Sequence, residues 1–530
     1  MPNPHDVTII GSGLNGLTAA AYLARAGKRV VVLEGRDVIG GGAATIEIAP
    51  GIRCDAGVQD PGWIPDRLVR DLDLRRHGLE PISPVIDVLA PLPDGGALTL
   101  SRDLQRSADA IRPLSPADAA AWPAFCEWAA RMASFLASVY AAPPPRPFDG
   151  GPGDLLALGA LGARLRRLGR HDMVELLRAL PMSVAELLDD RFDSAALKAV
   201  IGAVGVHGPF QGPRAGGTAF VLLHRLVGSA PGCFRVRSRV RGGSGALAAC
   251  LAAAARVGGV EIRTGAAVER IEVKDGAVRA VVLQGGAELP TAAVVSTADP
   301  RHTLLELVGP AALDPEFVEA VTRVRYRGST AHVHVAVGEL PRFAGVNGHQ
   351  DLLGGVIALA PSLDAIERAY DDAKYGAVSR HPALEMAIPT LWDSSLAPPG
   401  THVLSIRVRY APYRLREGVW TAARRDALGD AVIDAVAQYA PGVRDTVIGR
   451  EVLTPHDLEE RFGFPEGDAG DGELALDQAL FMRPIPGWAW YRTPVRGLFL
   501  GGSAAHPGPG IVGGPGALAA KQVLRGSTRL

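Results

Sequence analysis

Hydrophobic spacing changes period several times along the chain. Near the N-terminus, Val7, Ile9 and Ile10 form a short apolar run that reads as a buried strand. A small-residue helix to Ala26 and a second apolar strand, Arg29 to Leu33, follow. Further on, Ala267 to Ile271, Ser329 to Val337 and Val403 to Tyr410 alternate apolar and polar residues, the period of a strand with one buried face. Residues 106 to 235 are helix-rich and are interrupted by Pro143-Pro144-Pro145, which predicts a surface loop. Within that stretch, Asp154 to Arg170 places Leu158, Leu161, Leu165 and Leu168 on one helical stripe, with Arg164, Arg166, Arg167 and Arg170 around it. Such a helix ordinarily packs its stripe against a core. It also suits weak peripheral contact with an anionic membrane.

The chemistry begins at the joint between the first strand and its helix. There Gly11-Ser12-Gly13-Leu14-Asn15-Gly16 combines a glycine for a tight turn, a second that lets the backbone approach a diphosphate, and a third for close helix–strand packing. The helix N-terminus then faces the diphosphate charge. The second strand runs into Glu34, 23 residues after Gly11, placed to accept hydrogen bonds from an adenosine ribose. The glycine run alone is a weak signal. In register with two strands, a helix and an acid, it is a strong one.

Composition narrows the remaining classes. The 530 residues carry 55 Lys plus Arg against 56 Asp plus Glu, a net charge of 55 − 56 = −1, which argues against a nucleic-acid binder. At 47% hydrophobic residues the chain can build real cores, and its length suits about three structural units. Cys54, Cys126, Cys233 and Cys250 stand far apart, so neither a disulfide scaffold nor a metal centre is expected. No apolar run approaches a membrane span, and a cytoplasmic protein is expected.

After Glu34 come Gly35 and then Gly40-Gly41-Gly42-Ala43-Ala44. This Glu-x5-Gly-Gly spacing resembles the extended fingerprint of the amine oxidase and phytoene desaturase superfamily of two-dinucleotide-binding flavoproteins. Two distant segments extend the resemblance. Gly242-Gly243-Ser244-Gly245, an alanine-rich helix and the strand at Val268 resemble the return of the chain to the FAD domain, where Val268 meets the adenine through its backbone. Gly501-Gly502-Ser503 and His506 through Gly510-Ile511-Val512-Gly513 resemble the terminal motif of carotenoid oxidoreductase-like proteins. The resemblance implies non-covalent FAD held by these segments. Its fold is α/β: a discontinuous Rossmann-like FAD domain (1–80, 236–305 and 485–530), a mixed-sheet substrate domain (81–105 and 306–484) and a helical lid (106–235). The acidic, glycine-rich stretch 467–473 and Ala517-Leu518 depart from the carotenoid enzymes' pattern.

Hydride transfer to flavin requires mainly a shaped channel, so catalytic residues leave a faint trace in sequence. His332 and His334 alternate on one strand and should share a face, and His506 lies in the terminal motif; these three are the candidates for a base working near neutral pH. His207, Trp488 and Tyr491 are further cavity candidates. The expected activity is FAD-dependent oxidation, of desaturase or dehydrogenase type, at a C–C or C–N bond of a lipophilic small molecule. A flavin-dependent isomerase or saturase using reduced FAD is one alternative, and a FAD-stabilised interaction protein without turnover is another. Oligomeric state has no signature in the sequence.

Overall fold

The computed structural model describes residues 5–82, 86–146, 150–229, 234, 239–346 and 349–527. Strand β1 (Val7–Ile10), helix α1 (Leu14–Arg25) and strand β2 (Val30–Leu33) form as the apolar pattern predicts. Both strands are buried along their whole length because they lie inside a five-stranded parallel sheet. Its order is Leu498–Leu500, Val294–Ser296, β1, β2, Glu261–Arg263, so segments separated by hundreds of residues pair side by side. Alanines and leucines of α1 pack with those of helices Ser244–Val257 and Gly514–Ser527 in one core. Small residues set these separations: a Cβ on Gly16 would lie 2.1 Å from the Gly11 carbonyl oxygen, and one on Gly516 2.0 Å from that of Asn15.

The alternating segment at Val268 extends to Lys274 and pairs in a separate antiparallel sheet with Ala277–Leu283 and Glu288–Pro290. The other two alternating segments, Thr330–Val337 and His402–Arg409, are central neighbours in a seven-stranded mixed sheet. Period-two alternation gives this sheet two unlike faces. Val333, Val335, Ile406 and Val408 turn onto a core completed by Val432 and Val436 of helix Ala422–Ala437. His332, Arg407 and Arg409 turn the other way.

The described residues between 104 and 225 form seven helices around Trp122, Phe125 and Phe192. Leu165 and Leu168 of the predicted stripe pack against this core, while Leu155 and Leu156, at 64% and 75% exposure, project outward. The proline run differs from a free surface loop. Pro144 is buried, and its carbonyl accepts a hydrogen bond from the Trp490 indole at 2.6 Å. No helix among the described residues is long and apolar enough to cross a membrane.

Candidate active site

A cavity of about 830 Å³ opens at the C-terminal edge of the parallel sheet and continues beneath the polar face of the seven-stranded sheet. Parallel α/β sheets bind ligands at this edge because helix N-termini converge there. Gly11 takes φ +92°, and a Cβ on it would meet Thr297 Oγ1 at 2.5 Å. Gly13 caps α1 with no side-chain acceptor, and the first turn holds no acid, so its backbone N–H groups face the cavity. Gly41, at φ +60°, lies against it; a Cβ there would come within 3.0 Å of Gly13 Cα.

Glu34 organises this loop. Its Oε2 accepts the Ser12 backbone N–H at 3.0 Å and the Ser12 hydroxyl at 2.6 Å, and its Oε1 accepts the Arg36 N–H at 3.2 Å. The carboxylate also lines the cavity, beside Gly35, Ala267 and Val268. Along the cavity floor, the Asn15 side-chain amide donates to Ser503 Oγ at 3.3 Å, while Asn15 Oδ1 is buried with no hydrogen-bond partner. The terminal motif is held by Trp63, whose N–H donates to the Gly510 carbonyl and whose carbonyl accepts the Val512 N–H, both at 2.9 Å.

Of the residues the sequence singles out for the cofactor, Gly11, Gly13, Leu14, Asn15, Glu34, Gly35, Gly40, Gly41, Gly42, Ala43, Val268, Ser503, Gly510, Ile511 and Val512 line this one cavity. Gly16, Ala44 and Gly502 lie behind it. Gly16 packs on the Gly11 carbonyl, and a Cβ on Gly502 would stand 2.4 Å from that of Thr297.

The histidines separate. His332 lines the cavity and donates from Nδ1 to the Ala56 carbonyl at 2.7 Å. His334, one register step further along the same face, is fully buried and bonds Ser405 Oγ at 3.0 Å. Next to it Ala336 and Val403 pack against Ile52 and Cys54 of the hairpin Thr45–Asp55, which covers that part of the sheet. His506 is fully buried too; its ring packs edge-on against Tyr140 at 5.7 Å, away from the cavity. Of the three histidines expected near the reacting centre, His332 lines the cavity, and His334 and His506 do not. Trp488 packs on Phe317, and the Tyr491 hydroxyl donates to the His506 carbonyl at 2.8 Å, so neither lines the cavity.

Burial, the leading cause in each case, pushes the pKa of His224 and His332 down to about 3 and of His334 and His506 to about 4. None is a base poised at neutral pH. The consequence for stability has a definite sign. In the unfolded chain these rings titrate near ~6.5, so below that pH the unfolded state binds more protons and stability is lost as pH falls toward 4. Asp468 works oppositely: burial raises it to about 6, so its protonation between pH 6 and 4 favours the fold. Burial raises Asp55 and Asp471 as well. With His207 lowered as well, the lowered histidines outnumber the three raised carboxyls, and a net loss of stability is expected between pH 6.5 and 5. Thermal unfolding midpoints across that range measure it; a flat or rising profile would contradict the assignment.

Residues without a local motif complete the site. The 467–473 stretch forms one wall, held by Arg483, which is 2% exposed. Its guanidinium donates to the carbonyls of Gly470, Gly472, Glu473, Gln478 and Ser503, tying the acidic loop to the terminal motif. Arg325 and Arg327 both donate to the buried Glu473 carboxylate. The run of acids and glycines was visible in sequence as a departure. The bonds that Arg483 makes, from a single arginine before a proline, had no such signal.

A parallel sheet that presents a glycine loop, an open helix N-terminus and a ribose-side acid to a cavity shared with a second, roofing sheet defines a dinucleotide-binding flavoprotein oxidoreductase. Residues 14–342 match the flavin containing amine oxidoreductase family, and the chain belongs to it. It is 36% identical to pyridine nucleotide-disulfide oxidoreductase domain-containing protein 2 of Rattus norvegicus, over 98% of this chain and 93% of that protein. It is 26% identical to the phytoene desaturase (neurosporene-forming) of Cereibacter sphaeroides, over 97% and 93%. Its fold matches the crystal structure of an oxidoreductase from Methanosarcina mazei at a TM-score of 0.62 and 16% identity, covering 98% of this chain and 100% of that one. The cofactor is FAD. The buried, unpartnered Asn15 Oδ1 and the glycine at position 13, where a Cβ would meet nothing nearer than Gly41 Cα at 3.9 Å, fit such a group, and no cysteine among the described residues lines the cavity.

Proposed function

We propose that this flavoenzyme is a dehydrogenase of desaturase type that withdraws hydride from a C–C or C–N bond of a lipophilic small molecule. The observation that carries the reading is the continuity of the cavity: the dinucleotide motif opens without a partition onto the polar face of the roofing sheet. FAD, when bound, supplies the hydride acceptor. The chain's residues then divide the remaining work. Glu34 and the Gly11–Gly16 loop hold the adenosine and diphosphate. Asn15 and Ser503 face the ribityl side. Backbone N–H groups near Gly510–Gly513 are suited to stabilise negative charge that builds on reduction. His332 donates its Nδ1 proton to Ala56, which leaves Nε2 an acceptor that orients substrate without taking a proton at neutral pH. The phytoene desaturase among the relatives supports oxidation at carbon; it does not specify this chain's substrate.

Anaerobic titration of the purified yellow protein with lipophilic amines, polyenes and cyclic enones tests the reading. Bleaching of the flavin band by one class supports it. Turnover only after prior reduction of the flavin would favour an isomerase or saturase, and a flavin that no candidate reduces would favour a protein without turnover. For the helical layer, we propose weak peripheral contact with anionic membranes through Leu155 and Leu156, at one end of a helix that carries the exposed Arg166 and Arg167 at the other. Co-sedimentation with phosphatidylserine vesicles is expected and should disappear in Leu155→Ser/Leu156→Ser; no sedimentation of the parent protein would end that proposal.

A further inference from the structure

The helical layer meets the terminal motif through a histidine that the sequence does not single out. His224 stands in the last turn of helix Thr218–Arg225 and is buried. Its Nε2 lies 2.8 Å from the Pro509 carbonyl oxygen, and its Nδ1 lies 2.8 Å from the hydroxyl of Tyr140, the last residue of helix Pro116–Tyr140. Burial first, and then the charge of Arg225, keep the ring neutral, while burial raises the Tyr140 hydroxyl so that it keeps its proton. A neutral imidazole has one donor, and a carbonyl only accepts. Nε2 therefore carries the proton, and Nδ1 accepts from Tyr140. The chain of donors has a single direction, from Tyr140 to His224 to Pro509.

What this chain acts on is a peptide unit of the cavity wall. The bond between Pro509 and Gly510 is trans, so its carbonyl and its N–H point in opposite directions. The carbonyl turns to His224, which does not line the cavity; the N–H turns the other way, and Gly510 does line it. That N–H donates to no group among the described residues. The Gly510 carbonyl accepts from Trp63 at 2.9 Å, so the amide is held from both sides. A hydrogen bond accepted by a peptide carbonyl polarises the whole unit and strengthens its N–H as a donor, by on the order of 10–30%. We propose that Tyr140 and His224 are positioning residues for the flavin: through the Pro509 peptide they aim and strengthen the Gly510 N–H that meets the negative charge of the reduced cofactor. The helical layer then does more than cover the cavity, since it raises the flavin's reduction potential. The inference rests on the terminal motif facing the flavin, as proposed above.

The test uses the flavin-loaded protein and its two-electron midpoint potential, measured against reference dyes at about pH 6 and about pH 8. His224→Leu is expected to lower the potential, with the preference for reduced over oxidised flavin weakened about 3-fold. His224→Gln, whose side-chain amide still donates toward Pro509, should stay close to the parent. Tyr140→Phe removes only the hydroxyl and should lower the potential by a smaller amount. Because the ring is neutral throughout, the His224→Leu shift should be the same at both pH values. A shift that fades at the higher pH would assign the effect to an imidazolium charge, and equal drops in the Leu and Gln variants would assign it to packing. Either result overturns the proposal, as does an unchanged potential in flavin-loaded His224→Leu. Should His224→Leu not fold, Tyr140→Phe decides, and an unchanged potential there overturns the proposal. Amide exchange of residues 508–513 with and without flavin tests the underlying reading separately. Protection by flavin with no shift of potential in the variants removes only the action of Tyr140 and His224; no protection overturns the placement of the terminal motif as well.

Discussion

Gly13→Val is expected to yield a folded protein without flavin. Gly13 has φ −62° and ψ 172°, a conformation open to any residue, and the nearest atom to a Cβ there is Gly41 Cα at 3.9 Å. The branched side chain would therefore fit the fold and project where the first-turn N–H groups of α1 meet the diphosphate. Losing two charge-assisted hydrogen bonds, at about 1.5–3 kcal/mol each, weakens FAD at least about 100-fold. Gly16→Val, three residues away, should behave differently. Its Cβ would overlap the Gly11 carbonyl at 2.1 Å, a backbone atom that cannot give way, so α1 is forced off the sheet and stability falls by more than about 3 kcal/mol. Flavin content of the purified variants, with circular dichroism and thermal unfolding, separates the two. A Gly13→Val protein that keeps a full complement of FAD would contradict the placement of the diphosphate.

Arg483→Met should cost nearly as much without touching the dinucleotide loop. Three of the five carbonyls now served by one guanidinium, those of Gly472, Glu473 and Gln478, are buried, and a thioether offers them no donor. Leaving several buried acceptors unsatisfied is expected to cost about 3–5 kcal/mol, read as a thermal midpoint lowered by several degrees. The charge matters as well as the bonds. Arg483 holds the Asp468 and Asp471 carboxyls below the values burial alone would impose, so its loss raises both further. The variant should gain less stability than the parent as pH rises through 6, since a raised carboxyl favours the fold only while protonated. A midpoint within a degree of the parent would show that the acidic loop is held by other means.

These two sites differ in how far sequence alone reveals them. The β1–α1–β2 unit was legible because its chemistry is local: Gly11, Gly13 and Gly16 act through backbone geometry over six residues, and Glu34 follows at the end of the next strand. The bonding of Arg483 was not legible, since four of its five acceptors belong to a loop whose path no propensity describes and the fifth, Ser503, lies in the distant terminal motif. His332 and His334 mark the boundary between the two cases. Strand alternation correctly placed them on one face. Whether that face meets solvent, cavity or another element depends on the hairpin Thr45–Asp55, which arrives from almost 300 residues upstream and covers His334 only. His506 shows the converse, a residue inside a cofactor motif whose ring turns away toward Tyr140.

By itself, then, the sequence determined the class of protein and the cofactor, because dinucleotide recognition is written in glycines and one acid whose spacing is their function. Only the tertiary structure decided which polar side chains meet at the cavity wall. Arg225, Glu385, Arg407 and Arg409 lie on three elements, and their meeting depends on strand register and on how the helical layer docks against the terminal motif. Register between distant strands is set by the packing of whole faces, a property of many residues at once that no short segment carries.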